Sequence, residues 1–217
     1  MRALLIIVSL LIASFSGYAQ QKNKPQFEYP FLLGEWYVKN PSPDQNSGFR
    51  AIKIKFDSNY IFQIDVQKID YSLERWQGIY NANADTLVLG LNTATPQIYA
   101  YQTTHNKLNL NGITFVKSLS RPLAGMWSST SLSGADILAS KVARLDLILQ
   151  PDFIFMFRVS GEGGAESIKR GVYYVENNRL VLLYDDGETA SHYSLVEDKL
   201  TLYGQGVDMQ AELARIR

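Results

Sequence analysis

Hydrophobic and polar residues alternate with a period of two along most of this chain, and the alternation breaks at short, regular intervals. Ile52, Ile54 and Phe56 are separated by Lys53 and Lys55. After a DSN turn at 57–59, Phe62, Ile64 and Val66 are separated by Gln63 and Asp65. The same rhythm runs through Phe153, Phe155, Phe157 and Val159. A period of two sends alternate side chains to opposite faces, so each run predicts an antiparallel strand with one apolar face. Turn residues punctuate the runs at 81–85, 105–106, 161–164, 176–178, 185–187 and 197–198. In the first half the runs predict eight strands, at about 34–38, 50–56, 60–66, 74–81, 86–91, 97–103, 107–110 and 113–117. One helix is expected, within SGADILASKVARL (133–145), where Ser133 offers a cap. It replaces the proline-containing NPSPDQNSG (40–48) of the first half.

The second half repeats the first at offsets of 91 to 93 residues. Gly34 and Trp36 fall on Gly125 and Trp127, and Phe56, Tyr60 and Phe62 fall on Leu149, Phe153 and Phe155. GIY at 78–80 falls on GVY at 171–173, Tyr101 on Tyr193, and KLNLNG at 107–112 on KLTLYG at 199–204. Matches at so many punctuated positions mark an internal duplication. The expected fold is all-β, with two tandem small antiparallel up-and-down barrels of about eight strands each. The expected domains are repeat 1 over 31–117 and repeat 2 over 123–217, with linkers at 20–30 and 118–122. Most runs are shorter than the about 9–11 residues of an outer-membrane strand, so the apolar faces should point inward.

Residues 1–19 are expected to be a signal peptide. Arg2 precedes the apolar run 3–15, and Gly17 and Ala19 provide small residues before Gln20. Cleavage there predicts a periplasmic or secreted protein with no integral membrane segment. Removing Arg2 leaves 20 basic against 21 acidic residues, which gives no electrostatic reason to expect nucleic acid as a partner. The chain has no cysteine, which removes disulfides, thiolate metal sites and cysteine nucleophiles.

The opening Leu/Ala-Gly-x-Trp followed by eight short strands resembles lipocalin-like (calycin-type) β-barrels in a reduced bacterial form. The resemblance implies that Gly34 and Gly125 admit the first strand to a tight barrel end. It also implies that Trp36 and Trp127 plug that end beneath a basic side chain of the last strand. Lys117 and either Arg215 or Arg217 are the available partners.

No catalytic residues are identified. His105 and His192 have no histidine counterpart in the other repeat. Ser191 and His192 are neighbours on one strand and should point to opposite faces. SGEGGAES (160–167) and DDGE (185–188) read as hairpin turns and not as phosphate or calcium loops. Neither a metal nor a cofactor is expected. Tyrosines recur in both copies, Tyr80 with Tyr173 and Tyr101 with Tyr193, and Tyr99 is added in the first. An aromatic ring with a polar tip can seal a core or touch a ligand, so these five are the candidate ligand-binding residues. The bulky inward positions favour filled barrels. The functional expectation is an exported, non-enzymatic binding protein for a small apolar molecule or a protein partner. A structural or assembly module with filled barrels is the alternative, and a small exported hydrolase stands third.

Overall fold

The computed structural model describes residues 27–43, 48–118 and 123–216, which fall into two compact units. The expected signal peptide, linker residues 20–26 and 119–122, and Arg217 lie outside the described residues. The first unit comprises β1 (Gly34–Lys39), β2 (Phe49–Phe56), β3 (Ile61–Lys68), β4 (Leu73–Ala82), β5 (Thr86–Leu89), β6 (Gln97–Thr103), β7 (Lys107–Leu110) and β8 (Ile113–Ser118). Each strand pairs antiparallel with the next, and β8 returns to β1, which closes a barrel. The second unit repeats the arrangement with β9 (Gly125–Ser133), β10 (Val142–Leu149), β11 (Ile154–Gly161), β12 (Glu166–Glu176), β13 (Arg179–Tyr184), β14 (Gly187–Val196), β15 (Lys199–Gly204) and β16 (Gln210–Ile216). Here β16 closes on β9.

The inward faces follow the alternation. Ile54, Phe56 and Phe62 are buried in the first barrel, and Leu145, Leu147, Leu149 and Phe155 in the second. Burying each such side chain contributes about 1.5–3 kcal/mol. The recurrent glycines of GIY and GVY make room for this layer. A Cβ on Gly78 would lie 3.1 Å from the Phe62 ring, and one on Gly171 would strike the Leu183 carbonyl.

Two local expectations shift. The packed first unit begins at Phe27, not at residue 31, because the Phe27 ring is buried 5.2 Å from Tyr60 and 6.4 Å from Tyr80. The helix expected within 133–145 is α1, limited to Ala135–Ser140, and Lys141 ends it in a left-handed conformation with φ of 52°. Ser133 does not cap it: the N-cap is Gly134, which has no capping side chain. The Ala135 amide instead donates to the Asp208 carboxylate at 2.8 Å, and the Asp208 amide donates to the Asp136 carboxylate at 2.8 Å. The cap therefore comes from the β15–β16 connection, distant in sequence.

Candidate functional site

Successive turns of a meander alternate between the two ends of a barrel. In each unit one end holds the start of the first strand, and there the tryptophan of the Gly-x-Trp motif is buried. Trp36 donates its indole N–H to the Leu32 carbonyl at 2.8 Å, and Trp127 donates to Leu123 at 2.9 Å. Both indoles are almost fully buried. Gly34 has φ of 109°, a conformation that glycine adopts without a Cβ penalty. A Cβ on Gly125 would collide with the Arg215 guanidinium.

The same end collects the repeated tyrosines. The Tyr80 hydroxyl donates to the Asp57 carbonyl at 2.8 Å, and the Tyr173 hydroxyl donates to Gln150 at 2.7 Å. These carbonyls open equivalent turns, in which Tyr60 and Phe153 sit at φ of 62° and 70°. The rings of Tyr60 and Phe153 lie 5.7 Å from Tyr80 and 5.3 Å from Tyr173. Each tyrosine thus holds down a turn whose aromatic residue adopts an unfavourable backbone conformation. Tyr101 donates to the Asn83 carbonyl at 2.5 Å, and burial pushes its phenol pKa up to about 12. Tyr193 is buried, and its amide donates to Asn178 at 2.9 Å. Tyr99 is half-buried on β6. The structure therefore gathers four of the five candidate tyrosines at the Trp ends and leaves Tyr99 further along its barrel.

The second barrel contains an apolar cavity of about 60 Å³ toward its opposite end. Its walls include Leu145, Phe157 and Val159 on one side and Leu180, Leu182 and Leu202 on the other. Ile137 of α1 and Met209 pack together with Val142 over this end. The filled core expected from the bulky inward residues is therefore incomplete in the second barrel. None of the five candidate tyrosines lines this cavity.

Comparison of the repeats gives the physical reason. Trp76 and Lys169 occupy the same register position, opposite Ile64 in the first barrel and Phe157 in the second. Tyr99 and Ser191 are likewise equivalent, opposite Leu87 and Leu180. The Trp76 ring packs edge-on against Phe62, with centroids 4.6 Å apart. Two aromatic rings of the first barrel are thus exchanged for a lysine and a serine in the second, and both line the cavity. The signal was present in the sequence as a polar-for-aromatic exchange at inward positions. Its meaning depends on the register.

The polar groups of the cavity are concentrated on β12–β14. Lys169 Nζ lies 2.9 Å from both carboxylate oxygens of Asp186 and 4.9 Å from the centroid of the Tyr184 ring. The ion pair holds the Asp186 carboxyl below its ordinary pKa. The hydroxyls of Tyr184 and Thr189 are 2.9 Å apart. Ser191 is buried and His192 is exposed, so the adjacent pair faces opposite sides as expected. The 160–167 and 185–188 segments fall at the β11–β12 and β13–β14 hairpin connections. Among the described residues no acidic or histidine cluster could hold a metal, and no helix is long and apolar enough to cross a membrane.

No family model and no curated protein matches the chain. Among solved structures, the chain is similar to a protein of unknown function from the DUF3598 family of Nostoc punctiforme. The identity is 13% over 89% of this chain and 100% of that one, with a TM-score of 0.24. A likeness at that score carries no argument, and the two-barrel architecture rests on this chain's own strand pairing.

Proposed function

We propose that this is an exported, non-enzymatic binding protein whose second barrel takes up a small apolar molecule. The observation that carries the reading is the apolar cavity opened where Lys169 and Ser191 replace Trp76 and Tyr99. Ligand pockets combine a mostly apolar lining with a few placed polar groups, and this cavity has that character. At about 60 Å³ the cavity is less than half the about 150 Å³ that accommodates benzene, which leaves room for an alkyl chain of about three carbons. The buried tryptophan beneath a basic side chain supports the lipocalin-like resemblance of both units. Export rests on the signal-peptide pattern of residues 1–19. The first barrel, with Trp76 in place, is assigned a structural part.

The test is titration of the intact chain with 1-butanol, followed by NMR of the Leu180, Leu182 and Val159 methyl groups. Saturable shifts are expected in the wild type. They should vanish in Ser191→Tyr, which restores the residue type that the first barrel carries at that position. Absence of saturable shifts, or shifts that persist unchanged in a Ser191→Tyr variant that still melts cooperatively, would remove the cavity as the binding site.

A further inference from the structure

We propose that the ligand of the second barrel is a short-chain carboxylate, its alkyl part in the cavity and its carboxylate taken by Lys169 at the mouth. This rests on the reading of the second barrel as a ligand-binding site, and it adds the class of ligand. Lys169 lines the cavity and also the adjoining surface recess formed with Arg170, Tyr184, Asp185 and Asp186. Its side chain is 25% exposed, whereas that of its partner Asp186 is 68% exposed. The ammonium therefore stands at the boundary between apolar lining and solvent, with its methylene stem available to the wall.

An amphiphile matches both environments. Its chain removes apolar surface from water, and its head needs a charged donor within reach. Lys169 is the cationic residue in the cavity lining, and the Tyr184 and Thr189 hydroxyls line the same region. The ion pair with Asp186 is no barrier, because a pair with so exposed a carboxylate contributes little and is screened by salt. A ligand carboxylate would replace the Asp186 carboxylate, and Asp186 would return to water. Lys169 keeps one carboxylate partner through that exchange, and no group need be buried without a counter-ion.

Butyrate and 1-butanol, titrated separately at pH 7 into the intact chain, test the assignment with the same methyl probes. Butyrate should bind more tightly than 1-butanol. Lys169→Met should weaken butyrate about tenfold while changing 1-butanol less than about twofold, the loss typical of one charge-assisted contact. Trp76 at the equivalent position shows that the register accepts an apolar side chain. Asp186→Asn should strengthen butyrate, because it removes the competing carboxylate, and this variant alters only an exposed turn residue. Equal affinity of wild-type protein for the two compounds would overturn the carboxylate assignment while leaving the cavity reading intact. So would a Lys169→Met variant that weakens both alike. Failure of both compounds to bind would overturn the cavity reading and the assignment together.

Discussion

Arg215 and Trp127 face each other across the seam where β16 closes on β9, paired at their Cα atoms. The guanidinium carbon lies 4.2 Å from the centroid of the indole, and Nη1 donates to the Ala124 carbonyl at 2.6 Å. Lys117 and Trp36 repeat the relationship across the β8–β1 seam, with the ammonium 4.7 Å from the ring and 3.2 Å from the Phe31 carbonyl. A cation over an indole contributes about 0.5–2 kcal/mol, more as water is excluded. Each barrel is therefore closed by the same contact, made by different cations.

The indoles carry the larger share. Truncating a buried tryptophan to alanine costs about 3–5 kcal/mol. A domain is typically stable by about 5–15 kcal/mol. Trp36→Ala and Trp127→Ala should each bring one barrel close to unfolding, read by calorimetry of the intact chain. An unchanged melting profile in either variant would contradict the buried position.

Lys117 gives the first barrel a pH dependence. Part of its side chain remains exposed, but the ammonium is enclosed by the indole and the Phe31 carbonyl, and desolvation pulls its pKa down to about 7. The unfolded chain, with a lysine pKa near ~10.4, binds the proton more tightly, so stability should rise with pH above about 7. Tyr101 acts in the opposite sense: its raised pKa gives stability present below ~10 that is lost as pH rises through about 12. Denaturant melts between about pH 7 and 9 therefore isolate the lysine. Lys117→Met should flatten the rise.

Gly171→Ala should destabilise by about 1–3 kcal/mol, because the added methyl meets the Leu183 carbonyl, a backbone atom held in the β12–β13 ladder. Gly164→Ala meets nothing within 4 Å, and only its φ of 78° opposes the change. Its cost should be about 1–2 kcal/mol. Urea unfolding of both variants tests whether space or backbone conformation governs these glycines.

Residues 27–121 and 122–217, expressed separately, should each give a β-rich spectrum and a cooperative melt. Among the described residues, each strand pairing joins strands of one unit. Circular dichroism of the two fragments is the measurement, and two unfolded fragments would mean that neither barrel is self-sufficient.

The exported protein should have an intact mass that begins at Gln20, as the small residues Gly17 and Ala19 imply. Retention of residues 1–19 on the exported product would contradict the expected cleavage.

The alternation of Ile52, Ile54 and Phe56 and the repeated Gly-x-Trp were enough to read the strands, the duplication and the closed barrels from the sequence. A pleated strand converts period two directly into an inside and an outside. The lipocalin-like resemblance pointed to Lys117 and to either Arg215 or Arg217 as basic partners, and the structure sets Lys117 and Arg215 over the indoles. Other features were decided only in three dimensions. The recurrence of Tyr80 and Tyr173 was visible, but their hydroxyls end on the backbone carbonyls of Asp57 and Gln150, contacts that no local pattern encodes. The α1 cap came from Asp208 and not from neighbouring Ser133. The cavity depends on the register that sets Lys169 opposite Phe157 and Ser191 opposite Leu180. Sequence specifies which way a side chain points; whether that space is filled depends on the volumes that several strands bring to the same level of the barrel.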